Sequence, residues 1–223
     1  MISNDQASLA LAGYLLQIKA IKLNPHQAFT WASGLKSPIY CDNRITLSYP
    51  KIRTHIRQEF TRLMLEKYGK PDAIAAVATG GIAHGALVAQ ELGLPFLYVR
   101  TEKKGHGLNN QIEGVINSGQ SVVVIEDLVS TGSSSLSAVE ALREAGANVK
   151  GLFAIFSYDL QLANQNFMQA QCEYTALLTF DDLIKQALEE NYINEQDWKS
   201  LMEWKLNPQQ WSDLNNEGSN NQN

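Results

Sequence analysis

The sequence predicts an α/β fold, a parallel sheet flanked by helices with a small N-terminal cap. Three observations predict it. From residue 73 onward, short apolar runs alternate with segments of helical periodicity, the pattern of parallel strands joined by crossover helices. Residues 121–126 are rich in β-branched side chains, as befits a strand buried on both faces. Before residue 49 the candidate elements are short and irregular, which fits a cap beside the sheet.

Taken in order, residues 5–20 form a helix. Leu9, Ala12 and Leu16 recur at helical spacing, and Ser3, Asn4 and Asp5 offer caps. Residues 27–31 and 39–42 read as short strands on either side of the turn SGLKSP. A second helix covers 50–68. Ile52, Ile56, Phe60 and Leu63 share a face, Pro50 suits the first turn, and Gly69 with Pro71 stops it. Then come a strand at 73–78, a helix at 81–92 closed by Gly93 and Pro95, and a strand at 96–100. A polar stretch at 101–110 leads to a further strand candidate at 111–116. The strand at 121–126 is followed by a helix at 133–145 and a strand at 149–157. In that helix Leu136, Val139 and Leu142 point inward and Gly146 ends it. Beyond Asp159 lie a short strand at 174–178 and helices near 181–190 and 194–206, where Trp198, Leu201 and Trp204 read as core. The end is polar and Asn-rich and reads as frayed. The expected domains are a cap at 1–48, an α/β domain at 49–208 and a flexible tail at 209–223.

The chain has 223 residues, 44% of them hydrophobic and 18% charged, enough to bury a sizeable core and too apolar for disorder throughout. No apolar run is long enough to span a bilayer, and the start MISNDQASLA lacks a basic region followed by an apolar one. Cys41 and Cys172 form neither a CxxC pair nor a metal-ligand spacing, so a reducing cytoplasmic setting is expected. Net charge is −5, which argues against a nucleic-acid partner. The local cluster Arg100, Lys103 and Lys104 suits a small anion better than a polymer.

In a parallel sheet the ligand lies beyond the carboxyl ends of the strands, which selects Thr79-Gly80-Gly81, residues 101–110 and residues 127–134. The segment VVVIEDLVSTGSS, 122–134, carries the chemistry. A buried strand ends in Glu126 and Asp127, a short loop follows, and a helix opens. Backbone N–H groups of residues 130–134 at a helix start suit a phosphate, and Gly132 lets the backbone come close. The hydroxyls of Ser130, Thr131, Ser133 and Ser134 add donors. Carboxylates beside a phosphate cradle make sense when the ligand is a phosphorylated sugar, whose hydroxyls they accept from. Simple helix capping is the plain alternative; the ordered combination of strand, acids and turn favours a site.

This segment resembles the phosphoribosyl-diphosphate signature of the type I phosphoribosyltransferases. No GxxxxGK[ST] and no GxGxxG occurs, which leaves a P-loop or a dinucleotide fold unsupported. YVRTEKKGHGLNNQIEG, 98–114, resembles the catalytic loop of the orotate phosphoribosyltransferase family. FTWASGLKSPIYCDNR, 29–44, and ATGGIAHGALVA, 78–89, resemble its bacterial members. The likeness runs from about residue 7 to about 208.

The resemblance implies transfer of phosphoribose from 5-phosphoribosyl 1-diphosphate to orotate in pyrimidine nucleotide synthesis, with Mg2+ accompanying the diphosphate and no protein ligand assigned to it. It implies that Arg100, Lys104 and His106 meet the pyrophosphate, with Thr101 beside them. It implies that Glu126 and Asp127 hold the ribose hydroxyls, and that residues 126–134, Leu128 and Val129 included, bind the sugar phosphate. Lys104, His106 and Asp127 are the expected catalytic residues. Ser130 lies where the family contacts orotate. Arg44, Lys36 and the backbone after Thr79 are candidates for that anion, although a structural ion pair suits Arg44 equally; Tyr40 is a candidate to stack on the base. The resemblance further implies a homodimer whose loop 101–110 reaches the neighbouring site. Two departures stand out: Thr101 and Ala32 occupy positions where many or some members carry lysine. His26, His55 and His84 match no role. Competing readings are a purine-base phosphoribosyltransferase, which does not predict the 104–107 loop, and a non-catalytic sensor, which would bring a DNA-binding module.

Overall fold

Six strands build the central sheet of the computed structural model, which describes residues 5–31, 33–100 and 111–220. In chain order the helices are α1 (Asp5–Gln17), α2 (Pro50–Tyr68), α3 (Gly80–Leu92), α4 (Ser133–Glu144), α5 (Gln161–Gln169), α6 (Phe180–Glu189), α7 (Glu195–Leu206) and α8 (Pro208–Asn220). The strands are β1 (Ile21–Leu23), β2 (Phe29–Thr30), β3 (Lys36–Ser37), β4 (Ile39–Cys41), β5 (Ala73–Val77), β6 (Phe96–Val99), β7 (Ile112–Glu113), β8 (Ser121–Val129), β9 (Asn148–Ser157) and β10 (Tyr174–Thr179). The main sheet runs β10-β9-β8-β5-β6-β7 and is parallel except for β7, which returns antiparallel at the edge.

The pleat divides the core. Ile74, Val123, Ile125, Phe153 and Ile155 face one layer, where Leu11 and Leu15 of α1, Ile56 and Phe60 of α2 and Leu183 of α6 cover them. Ala73, Ala75, Val77, Val122, Val124 and Leu152 face the other, beneath Val139 and Leu142 of α4 and Phe167 of α5. Full burial of each large aliphatic or aromatic side chain contributes about 1.5–3 kcal/mol, so two such layers fix the register of the strands. Because α1 lies in the first layer, it belongs to the core of the sheet. The small strands before residue 48 stand beside that core as two separate ladders, β1 with β4 and β2 with β3.

Several elements differ from the sequence reading. The central strand continues past Glu126 and Asp127 to Val129, because β9 keeps pairing with it as far as Val129↔Ser157. The first helix stops at Gln17, and Ile21–Leu23 pairs with Ile39–Cys41, since the chain turns through Lys19 at φ 57°. The end is no frayed tail from residue 209. Pro208–Asn220 is helical and docks through Trp211, 7% exposed, and Ser212, 2% exposed. Ser212 Oγ accepts from the Lys36 N–H at 2.9 Å, and Trp211 Nε1 donates to Ser200 Oγ at 3.4 Å. A polar composition hides this, since one buried indole outweighs several exposed amides. Residues 221–223 lie outside the described residues. Among the described residues no helix is long and apolar enough to cross a membrane.

Trp211→Ala is expected to lower the free energy of unfolding by about 3 kcal/mol, the scale for emptying a buried aromatic site. Urea unfolding checks it, and a loss below about 1 kcal/mol would mean that α8 contributes little packing.

Candidate active site

Val122, Val123, Val124 and Ile125 are all 0% exposed and drive β8 through the centre of the sheet. Its pairing with β5 ends at Ala76↔Ile125, while pairing with β9 continues. Residues 126–129 therefore overhang β5. Glu126, 5% exposed, turns inward: its Oε2 accepts from Ser135 Oγ at 2.9 Å and its Oε1 from the Asp127 N–H at 3.0 Å. Burial, with the neighbouring Asp127 second, pushes the Glu126 carboxyl well above the usual carboxylate range. Asp127 is half-buried beside the start of α3. A Cβ on Gly80 would collide with the carboxylate oxygens of Asp127, so only glycine lets the two approach this closely.

The turn after β8 leaves its donors open. Gly132 is the N-cap of α4 at φ 81°, and no side chain caps that end. Thr131 Oγ1 bonds Ser133 Oγ at 3.0 Å instead, and Asn166 Nδ2 holds the Thr131 carbonyl at 2.9 Å. The capping alternative is therefore not what these residues do. A Cβ on Gly132 would lie 2.6 Å from the Phe167 ring, so conformation and space both demand glycine. Ser133 and Ser134 are exposed at the helix start. The N-terminus of α3, whose N-cap is Thr79, also lacks a side-chain cap. Two uncapped helix starts thus flank Asp127, an arrangement whose dipoles and free N–H groups suit phosphate oxygens.

Beside the turn lies a cavity of about 290 Å³ lined by Trp31, Tyr40, Cys41, Leu128, Ser130 and Tyr158. It joins the signature segment to the N-terminal strands. Trp31 packs on Tyr158 at 5.1 Å between ring centroids, and Trp204 of α7 meets both rings at 5.7 and 5.5 Å. Burial and the charge of Asp127 raise the Cys41 thiol well above its ordinary value, so it stays protonated and is a poor nucleophile. A pocket with aromatic walls and one hydroxyl suits a flat heterocycle.

The structure therefore brings together Glu126, Asp127, Leu128, Val129, Ser130, Thr131, Gly132, Ser133 and Ser134. Arg100 directly follows β6 and pairs with Glu113 at 3.4 Å, and its N–H donates to the Gln111 carbonyl at 2.9 Å. Thr101, Lys103, Lys104 and His106 lie outside the described residues, as does Ala32. Arg44 is not among the residues lining the cavity. Its exposed guanidinium holds both oxygens of Asp42 at 2.7 and 2.9 Å, the ion-pair alternative of the sequence reading. Lys36 Nζ donates to Thr30 Oγ1 at 2.9 Å. Sequence reasoning missed Trp31 and Tyr158. The rule of strand carboxyl ends points to Tyr158, immediately after β9; nothing local points to Trp31. Among the described residues no three of His, Cys, Asp and Glu converge to hold a metal ion.

Because folding raises the affinity of Glu126 for its proton, the native state binds more protons than the unfolded chain above about pH 4.5. Its contribution to stability is fully present below that value and is lost as pH rises toward the raised folded value. The unfolding free energy of the wild type is expected to fall more steeply between pH 5 and 7 than that of Glu126→Gln. Denaturant titrations across that range check it, and parallel curves would contradict it.

A family model described as "Phosphoribosyl transferase domain" matches residues 47–159. The orotate phosphoribosyltransferase of Listeria monocytogenes is 51% identical over 201 residues, covering 90% of this chain and 96% of that protein. That of Phocaeicola vulgatus is 53% identical over 197 residues, covering 88% and 93%. Among solved structures, orotate phosphoribosyltransferase from Aeropyrum pernix superposes with a TM-score of 0.69 at 28% identity, over 82% of this chain and 99% of that one. UMP synthase of Leishmania donovani superposes with a TM-score of 0.76 at 27% identity; the match covers 90% of this chain and spans 42% of that longer one. With about half of its residues shared along nearly the full length of such relatives, this chain belongs to the orotate phosphoribosyltransferase family.

Proposed function

We propose that the chain transfers phosphoribose from 5-phosphoribosyl 1-diphosphate to orotate, giving orotidine 5′-monophosphate and pyrophosphate in pyrimidine nucleotide synthesis. The observation that carries this reading is the uncapped start of α4, reached from Asp127 through a short turn whose Ser130 also lines an aromatic cavity.

The N–H groups and hydroxyls of residues 130–134 take the 5′-phosphate. Asp127 accepts from the ribose hydroxyls, and Glu126, already bonded to Ser135, keeps lone pairs for a further donor. The base lies against Tyr40 and Trp31, with Ser130 as a polar contact. As the anomeric C–O bond breaks, its electron pair leaves with pyrophosphate, positive charge develops on the ribose ring, and the orotate ring nitrogen forms the new C–N bond while its N–H proton passes to pyrophosphate or solvent. Carboxylates beneath the ring and cations around the diphosphate stabilise these opposite charges, so catalysis is positioning and electrostatics. Arg100, Lys104 and His106 supply the cationic donors. A magnesium ion accompanying the diphosphate would neutralise further charge on the leaving group, with no residue of the chain assigned as its ligand. By family resemblance the working unit is a homodimer in which residues 101–110 of one subunit serve the other.

An ultraviolet assay tests the reaction. With magnesium and phosphoribosyl diphosphate, the protein is expected to consume orotate and to leave uracil, adenine, hypoxanthine and xanthine unchanged. Consumption of a purine instead would overturn the substrate assignment. Lys104→Ala and His106→Ala are each expected to lower kcat by about a hundredfold, the scale for removing one group that stabilises transition-state charge, with an unchanged melting temperature. Normal turnover in both would remove the leaving-group role.

A further inference from the structure

The overhang of β8 creates a problem that an unassigned residue solves. Past Ile125 the strand has no β5 partner, so the Asp127 carbonyl cannot be held by the sheet on that side. Asn43, 1% exposed in the single 3-10 turn Asn43–Ser48, donates from Nδ2 to that carbonyl at 2.7 Å. With Glu126 accepting the Asp127 N–H, side chains bond both backbone polar groups of Asp127. Asn43 is anchored in turn. Thr46 Oγ1 donates its one proton to the Asn43 carbonyl at 2.5 Å, and His84 Nε2 lies 3.1 Å from the same hydroxyl. The hydroxyl must therefore accept from an Nε2–H, which fixes the ring tautomer. His84 is 1% exposed on α3, and burial with nearby Arg53 lowers its pKa to about 4, so it serves as a neutral donor. The chain of bonds links α3, the 3-10 turn and β8, the three pieces that meet at Asp127.

We propose that Asn43 is a positioning residue for the phosphoribosyl transfer, holding the Asp127 backbone where β5 has ended, and that His84 anchors it through Thr46. The proposal rests on the function given above. It predicts an effect on turnover by correctly folded enzyme, which a merely stabilising residue would not have.

The test compares orotate turnover at saturating substrates for the wild type, Asn43→Asp, Asn43→Ala, His84→Gln and His84→Leu, each rate divided by the folded fraction from a thermal melt. Asn43→Asp is nearly isosteric but turns an acceptor toward an acceptor. It and Asn43→Ala are expected to lower kcat at least about tenfold, as a misplaced catalytic group does. His84→Gln keeps a polar atom within reach of Thr46 and is expected to retain at least about half of kcat, whereas His84→Leu falls several-fold. A kcat per folded enzyme within about twofold of wild type in the Asn43 variants would overturn the proposal. If neither of those folds, equal kcat in the two His84 variants would do so. An inactive wild type would instead overturn the proposed function itself.

Discussion

The site depends on two neighbouring strands ending at different places. β5 stops pairing with β8 at Ala76 and soon gives way to α3, while β8 runs on along β9 to Val129, where the Tyr158 N–H donates to the Val129 carbonyl at 3.1 Å. The step between them is a notch with a backbone edge on one wall and a helix start on the other. Glycine at position 80 lets that helix start press against Asp127, and the open turn after Val129 leads into a second helix. An acid whose backbone N–H and carbonyl are both held by side chains, between two positive helix ends, is well suited to grip a sugar whose ends are phosphorylated. Had both strands ended together, the acids would have projected into solvent at a flat sheet edge.

Local pattern carried much of the architecture. Helical spacing marked Ile52, Ile56 and Phe60, all of them buried, with Met64 rather than Leu63 completing the row. The β-branched run marked the middle of the sheet, and the strand–turn–helix order placed residues 126–134 at its carboxyl end. What local pattern does not carry is pairing over long distances. The continuation of β8 is set by β9, and its residues Leu128 and Val129 look no more like strand than like loop in isolation. α5 escaped notice because only Ala163 and Phe167 of its nine residues are buried. The aromatic walls of the cavity come from Trp31, Tyr40 and Tyr158, which are far apart in sequence and meet only when the N-terminal strands fold back. His84 lies in the family-like segment 78–89 but matched no role there; its link to Asp127 runs through Thr46 and Asn43.

The two carboxylates illustrate how environment separates neighbours of like chemistry. Glu126 is buried and braces the turn through Ser135, so its proton affinity rises. Asp127, one residue on and on the opposite side of the pleat, is half-buried and faces α3. Adjacent residues of a strand point to opposite faces, so two acids side by side in sequence meet different surroundings, one against Ser135 and one at the notch.

The bond between Lys36 and Ser212 joins positions separated by 176 residues. The hairpin that carries Trp31 is therefore seated on a helix that the ribosome makes last among the described elements. At synthesis rates of roughly 5–20 residues per second, tens of seconds pass between the emergence of the two halves of that contact. During this interval the nascent chain can assemble its sheet while the wall formed by the hairpin waits for its support. Completion of the cavity wall is thus a late event in biogenesis, coupled to the delivery of α8.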